Sequence, residues 1–521
     1  MDGFTITPIG RGENRCTITL KKVRPEALWE QRPCSTRGLG MRTEGCGYRG
    51  SPIDAMMCYS TIDGSLIRDT GGVELDYDRA WRRATSIAKT LDAKHGVRRG
   101  DAVAIAPINS AESLLSLTAT WLLGATAAII DPLSHSMDLE MQLRQVSPRL
   151  LITANAFLDK HCDTARKLGI ICVSAEQLYV EAGDTEWEGY YRPRSWENAL
   201  IYFYAGIAGR TIPVIHTHSN VAASAEIVVS HYRLGQNDKV LVVAPISHAL
   251  GLQISALAAL HAGASITLYR RTGKMNTTEA VEIVTRENPS MILAVPMFYK
   301  SLLDSGYKGT PALKYPVSAG APLPTDLQNS WSKVTGVELL QLYGMTEAAP
   351  VSATLPGENP LGSIGKPMPG IEVRLLNPTS TENGGAIGEL LVRGPMVMKG
   401  YGVEAENERA FLPGGWLRTG DIIEVDRDGF MFFRGVKKRM IKYKGYPIFP
   451  RDLEVILEQH PAVARARVYG EPGGDVGQIP VAEVWLRKGV VVNEEELMEW
   501  VNSKVAPYKR IRRLVIKGYI D

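Results

Sequence analysis

The 521-residue chain carries 59 Lys+Arg against 56 Asp+Glu, a formal charge of only +3, with 45% hydrophobic and 22% charged residues. At roughly 100–200 residues per domain the length predicts two to four domains with ample core, and the composition excludes a disordered chain. So small a charge argues against nucleic acid as the main partner. It is locally uneven, because residues 426–521 hold 18 Lys+Arg and 13 Asp+Glu, leaving +5 there and −2 on everything before.

The N-terminus, Met1-Asp2-Gly3, shows no basic region ahead of an apolar stretch, so a cytoplasmic location is expected. The six cysteines (Cys16, Cys34, Cys46, Cys58, Cys162, Cys172) lie in the first third, three of them at 12-residue steps. Metal sites usually bring ligands within about two to four residues of one another, so structural or incidental thiols are expected here, with a metal or disulfide role as the lesser alternative. Short apolar runs bounded by turn residues then recur at Ala102–Ala106, Ala125–Ile130, Leu150–Thr153, Val240–Ala244, Ser265–Tyr269 and Met291–Val295, with helical stretches such as Ala111–Leu123 between them. That alternation predicts parallel or mixed sheets covered by helices. Ser113–Ile130 and Val240–Tyr269 lack formal charge, but Ser, Thr, Gly, Pro and His dilute them. Both read as buried core elements rather than membrane spans.

Beyond Pro356 the texture changes to alternating strands and tight turns, including Asp426-Arg-Asp-Gly429, which predicts half-exposed antiparallel strands. After Pro450 come a helix with Leu453, Ile456 and Leu457 on one face, strands near Ala464–Tyr469 and Val481–Leu486, and a helix capped by Asn493 that buries Leu497, Trp500, Val501 and Val505.

Four segments carry residues suited to chemistry. Ile201-Tyr-Phe-Tyr-Ala-Gly206-Ile-Ala-Gly209 runs from a strand into a glycine turn, where backbone N–H groups can approach a phosphate; a plain turn fits equally well. In Gln341-Leu-Tyr-Gly-Met-Thr346-Glu347, a hydroxyl beside a carboxylate suits phosphate and Mg²⁺, or merely a helix N-cap. In Gly415-Trp-Leu-Arg-Thr-Gly-Asp421, the carboxylate suits a ribose, or the segment is a polar turn. The cations of Phe433-Arg-Gly-Val-Lys-Lys-Arg-Met-Ile-Lys-Tyr-Lys-Gly445 suit phosphates or form a solvated face.

In this order and at these separations the four segments resemble the adenylate-forming enzymes: acyl-CoA synthetases, firefly-type luciferases and peptide-synthetase adenylation domains. Supporting matches are Pro245-Ile-Ser-His248-Ala-Leu-Gly251, Ser318-Ala-Gly-Ala-Pro-Leu-Pro324, Gly362-Ser-Ile-Gly365-Lys-Pro-Met-Pro-Gly370, Gly388-Glu-Leu-Leu-Val-Arg-Gly394 and Pro507-Tyr-Lys-Arg-Ile-Arg. The resemblance implies an α/β fold. A large N-terminal AMP-binding domain (1–438) would combine helix-covered sheets with a small β-barrel-like part, and a small mobile α+β domain (439–521) would follow. It implies an ATP-dependent acid–CoA ligase acting through an acyl-adenylate, with ATP, Mg²⁺ and coenzyme A required.

By position, Gly206 and Gly209 would cradle phosphate, Thr346 would contact the α-phosphate and Glu347 would hold Mg²⁺. Gly320, Ala321 and Pro322 would line the adenine with Tyr343 and Gly344, and Asp421 would bind the ribose. His248 would stand at the mouth of the acyl pocket, as in acyl-CoA synthetases. Amino-acid-activating relatives place an Asp near there, so a fatty or aryl acid is implied. Arg439 would be the hinge, and Lys444 and Gly445 would face CoA.

The sequence also departs from the family pattern. Tyr204, Ala205, Ile207 and Ala208 replace the hydroxyls of the phosphate loop, and Thr211-Ile-Pro213 stands for Pro-Lys-Gly. Each lost charge-assisted contact costs on the order of 3 kcal/mol at a transferring phosphate. Val436 replaces the family's ribose-contacting arginine, with Arg434 two residues earlier as the substitute. The terminal Gly-Lys context of the adenylation lysine is not found before Asp521. These departures support a second possibility, a homologue that binds nucleotide, acyl-CoA or a partner without full ligase activity.

Overall fold

The computed structural model describes residues 17–20, 51–60, 64–205, 211–273, 275–381, 384–436, 441–448 and 450–520. Two large sheets and the helices between them share one hydrophobic core. In the seven-stranded sheet, Ala102–Ala106 pairs in parallel with Thr126–Ile129 and Leu150–Thr153, and Leu150–Thr153 with Ile171–Ser174. Asn198–Ala205 runs parallel to Thr126–Ile129 and forms a hairpin with Thr211–Thr217. In the nine-stranded sheet, Ser265–Leu268, Lys239–Val242, Met291–Ala294, Tyr315–Ser318 and Leu340–Met345 are parallel neighbours, and Ala348–Ala353 pairs antiparallel to the last.

The two charge-free stretches are core. Ala111–Leu122 is capped by Ser110, whose hydroxyl accepts from the Ser113 N–H, and every residue of this helix is buried, including Glu112, which pairs with Arg270 at 3.1 Å. Val240–Tyr269 divides into a strand, a buried helical run with a π turn at Leu252–Ala256, and a second strand. Among the described residues no helix is long and apolar enough to cross a membrane.

The alternating segments form a six-stranded antiparallel sheet that includes Glu372–Ser380, Ala386–Arg393, Trp416–Val425 and Met431–Val436. After it comes the hairpin Ile441–Tyr443/Tyr446–Ile448. The three strands Val463–Pro472, Gln478–Arg487 and Arg513–Ile520 follow, with helices Pro450–Glu458 and Glu494–Asn502. This end has its own hydrophobic cluster, from Ile441 to Leu514. Two expectations need correction here. Val505 is buried but lies beyond the helix, which ends at Asn502, and Trp500 is only half-buried, its indole N–H donating to the Ile456 carbonyl at 3.3 Å.

The cysteine expectation also changes. Cys162 and Cys172 form a disulfide that ties the helix Leu158–Lys167 to the strand Ile171–Ser174. Cys58 is half-buried, and Cys16, Cys34 and Cys46 lie outside the described residues.

Candidate active site

In open α/β sheets, ligands bind beyond the carboxyl ends of the strands. The residues singled out in the sequence gather there: Gly320, Ala321 and Pro322 after Tyr315–Ser318, Thr346 and Glu347 after Leu340–Met345, and His248 a few residues after Lys239–Val242. Gly206 and Gly209 belong to the connection after Asn198–Ala205 and, like Arg439, expected as the hinge, lie outside the described residues.

The Thr346–Glu347 pair is a tight turn between antiparallel strands, with Met345 opposite Ala348, so the helix N-cap reading is excluded. The turn is held on three sides. His216 Nε2 donates to the Thr346 carbonyl at 2.8 Å, the Met398 N–H donates to the Glu347 carbonyl at 2.8 Å, and the Tyr401 hydroxyl donates to Glu347 Oε1 at 2.7 Å. Burial pulls the His216 pKa down from 6.5 to about 4. The ring is therefore neutral near pH 7, and because a carbonyl only accepts, its proton sits on Nε2. Glu347 is only 2% exposed. A single buried carboxylate beside a hydroxyl suits Mg²⁺, which typically takes one or two protein carboxylates and completes its shell with substrate phosphates and water. Among the described residues no three His, Cys, Asp or Glu side chains converge into a preformed metal cage.

Three residues before Thr346, the Tyr343 hydroxyl donates to Asp421 Oδ2 at 2.6 Å, joining the nine-stranded sheet to the antiparallel one. Asp421 lies within the strand Trp416–Val425 rather than in a turn, and its N–H donates to Thr419 Oγ1 at 3.0 Å. Burial, reinforced by the Asp421 charge, pushes the Tyr343 phenol well above its usual range, so it remains a donor. The half-buried Lys442 stands close enough to feel the same carboxylate: burial lowers its pKa, and Asp421 opposes that shift. Arg434 stands apart from this group. Its Nε donates to Glu424 Oε2 at 2.7 Å and its guanidinium lies 5.4 Å from the Phe432 ring centroid.

The C-terminal hairpin reaches the same face. Lys444 (φ 51) and Gly445 (φ 82) form its turn. A Cβ on Gly445 would lie 2.6 Å from Val295 Cγ1, and one on Gly320 would lie 3.6 Å from that same atom. Next to the turn, Tyr446 meets the edge of the His248 ring with centroids 5.7 Å apart and stacks on Tyr508 at 4.4 Å. His248 Nε2 faces Asp131 Oδ2 at 3.7 Å. Ion pairs flank the contact: Lys300 with Asp475 at 3.4 Å, and the buried Lys509 with Asp452 at 3.3 Å and Asp138 at 3.7 Å. Lys444 itself is exposed, Ala321 half-buried and Pro322 exposed.

Thus Tyr343, Gly344, Thr346, Glu347 and Asp421 form one group, and Gly320, His248, Lys444 and Gly445 gather around Val295 and Tyr446. Sequence reasoning missed Asp131, Tyr446 and Lys509 as members of this face, and it noted His216-Thr-His218 after the glycine turn without giving it a role. It read Lys442 only as part of a basic run. The alternation of a short β-hairpin, which turns Lys442 inward, was the available signal.

Comparisons with known proteins show the family. The family described as AMP-binding enzyme matches residues 58–402, and its C-terminal domain matches residues 452–518. Peroxisomal OPC-8:0-CoA ligase 1 of Arabidopsis thaliana is 30% identical over 484 residues, covering 88% of this chain and 87% of that protein. Long-chain-fatty-acid–CoA ligase of Bacillus subtilis is 27% identical, covering 84% and 86%. Among solved structures, o-succinylbenzoate CoA synthetase of Bacillus subtilis, a double mutant bound with a product analogue, superposes with a TM-score of 0.79. It is 26% identical, covering 89% of this chain and 94% of that one.

Proposed function

The chain belongs to the AMP-binding enzymes, and from that premise we propose that it is an ATP-dependent acid–CoA ligase acting on a fatty or aryl acid. One observation carries the reading: the hairpin turn Lys444–Gly445 seats against Val295 beside Gly320, while Tyr343, Asp421, Thr346 and Glu347 stay grouped. That arrangement offers a nucleotide side and a thiol side to one reacting centre. In the first step the acid's carboxylate attacks the α-phosphate of ATP, and pyrophosphate leaves. In the second a CoA thiol displaces AMP from the acyl-adenylate. We assign the ribose to Asp421, the adenine to Gly320, Ala321, Pro322, Tyr343 and Gly344, and the α-phosphate to Thr346. Glu347 would hold Mg²⁺, which when bound neutralises phosphate charge. Gly206 and Gly209 would supply backbone N–H donors, and Arg434 would approach the nucleotide only after release from Glu424. Lys444 and Gly445 would line the thiol's approach, with residues 439–521 turning about Arg439 between steps.

His248 at the acyl side, where amino-acid-activating relatives carry Asp, favours an acid with an uncharged tail. The relatives named above, ligases of OPC-8:0 and of long-chain fatty acids, are consistent with that class. We propose a cytoplasmic location for the protein. The Cys162–Cys172 pairing opposes this, since disulfides persist mainly in oxidising compartments.

A second reading, a homologue that binds nucleotide or acyl-CoA without full ligase activity, is favoured by one observation. Ile212, at the family's loop-lysine position, is 6% exposed and packed into the core. Carboxylate-dependent ATP–pyrophosphate exchange over a panel of acids separates the two. Exchange with a fatty or aryl acid that disappears in Glu347→Ala supports the ligase. Exchange surviving that substitution refutes the metal assignment. Absence of exchange with every acid, alongside tight acyl-CoA or AMP binding, favours the second reading.

A further inference from the structure

We propose that Asp131 is a positioning residue for His248, fixing the imidazole as the base that takes the thiol proton in the second step. This rests on the ligase reading. Asp131 follows the strand Thr126–Ile129 at the carboxyl edge of the seven-stranded sheet, whereas His248 comes from the nine-stranded sheet, so the pair spans the crevice between them. Asp131 Oδ1 accepts the Leu133 N–H at 2.9 Å, which locks the carboxylate and points Oδ2 at the imidazole. The facing atoms, Asp131 Oδ2 and His248 Nε2, are both buried and both lack a hydrogen-bond partner. They stand 3.7 Å apart. Two hydrogen bonds through a water span about 5 Å in line, so this gap suits direct contact, and catalytic hydrogen bonds are often long in ligand-free proteins and tighten when substrate binds.

A proton on Nε2 directed at Asp131 leaves Nδ1 with the free lone pair. The Tyr446 ring packs on His248 from the hairpin that carries Lys444 and Gly445, so the imidazole lies where that hairpin arrives. As the thiol sulfur attacks the acyl carbonyl, its proton passes to Nδ1. The C–S bond forms, the bond from the carbonyl carbon to the phosphate oxygen breaks, and AMP leaves with that electron pair. Asp131 then faces an imidazolium, whose charge its carboxylate stabilises. The other ionisable groups that sense Asp131 are Lys160, Lys509, Tyr446 and Tyr508.

The test uses the full chain with Asp131→Asn, measuring ATP–pyrophosphate exchange and CoA-dependent thioester formation separately. Exchange should stay near wild type, which also reports folding, while thioester formation at pH 7 falls about 10- to 100-fold, a part of the roughly 10²- to 10⁴-fold that a positioned base contributes. The deficit should shrink as pH rises toward the pKa of the CoA thiol, which is less acidic than a cysteine at about 8.5, because a thiolate needs no base. His248→Gln should lose as much as the double variant with Asp131→Asn, since two residues acting as one unit are not additive. Equal loss in both half-reactions, no recovery at high pH, or additive losses would overturn the pairing while leaving the ligase reading intact. Wild-type exchange without any thioester formation would instead overturn the ligase reading, and this proposal with it.

Discussion

Replacing Gly445 by alanine probes whether the C-terminal hairpin must seat against the large domain for the thiol step. Gly445 sits at φ 82, and an added Cβ would stand 2.6 Å from Val295 Cγ1. The left-handed conformation alone costs an L-residue about 1–2 kcal/mol. The overlap adds about 1–3 kcal/mol, as overpacking does elsewhere. Val295 cannot swing aside cheaply, because its χ1 is stiff and it immediately precedes the helix Pro296–Asp304. Together about 2–5 kcal/mol is removed from the seated arrangement, which slows a step requiring it by about 30- to 4,000-fold. Adding Val295→Ala deletes the clashing methyl and returns only the overlap part, about 5- to 150-fold. The assay is CoA-dependent AMP release with ATP–pyrophosphate exchange run beside it. Gly445→Ala should cripple the first and spare the second. Equal losses in both, or no recovery in the double variant, would refute the reasoning.

Three further outcomes are expected. His216→Leu strips the Thr346 carbonyl of its 2.8 Å donor, a loss of about 1–3 kcal/mol. Exchange kinetics should show kcat down about 5- to 150-fold with little change in KM for ATP, and His216→Gln, still a donor, should recover most of it. Burial also holds His161, His216 and His218 near pKa 4, below their ordinary 6.5. The unfolded chain therefore binds more protons between these values, so stability present above about pH 6.5 is lost as pH falls toward 4, on the order of 3 kcal/mol per histidine. Denaturant midpoints should drop steeply over that window, and less steeply in His216→Gln. Finally, Lys509→Ala leaves the Asp138 and Asp452 carboxylates facing each other across the contact between the large domain and the C-terminal end. Breaking such a buried pair costs about 3–5 kcal/mol; thermal unfolding should shift down, and thioester formation should fall further than exchange.

Local chemistry was legible in the sequence where it depends on neighbouring residues. Short apolar runs marked the parallel strands. Thr346, Glu347, Asp421, Lys444 and Gly445 became candidates through the order and separation of four polar segments that resemble one family, not through their place in a sheet. What escaped depends on pairing across long separations. His216 lies 130 residues from Thr346, and nothing around it in Pro213–His218 marks its ring as a donor to a distant carbonyl. Asp131 reads as a turn aspartate before proline until the second sheet brings His248 to it. Lys509 is an ordinary cation in a basic segment, and only the packing of the two units surrounds it with Asp138 and Asp452. The helix N-cap reading of Thr346 was excluded by the register of Met345 with Ala348, which no local propensity encodes.

The most direct test of the central claim is product stoichiometry: the chain incubated with ATP, Mg²⁺, CoA and an uncharged fatty or aryl acid, with AMP and acyl-CoA quantified together. The ligase account predicts one acyl-CoA per AMP, no acyl-CoA without CoA or acid, and loss of both products in Glu347→Ala. ATP consumed to AMP with no acyl-CoA formed, or no turnover with any acid of that class, would contradict it.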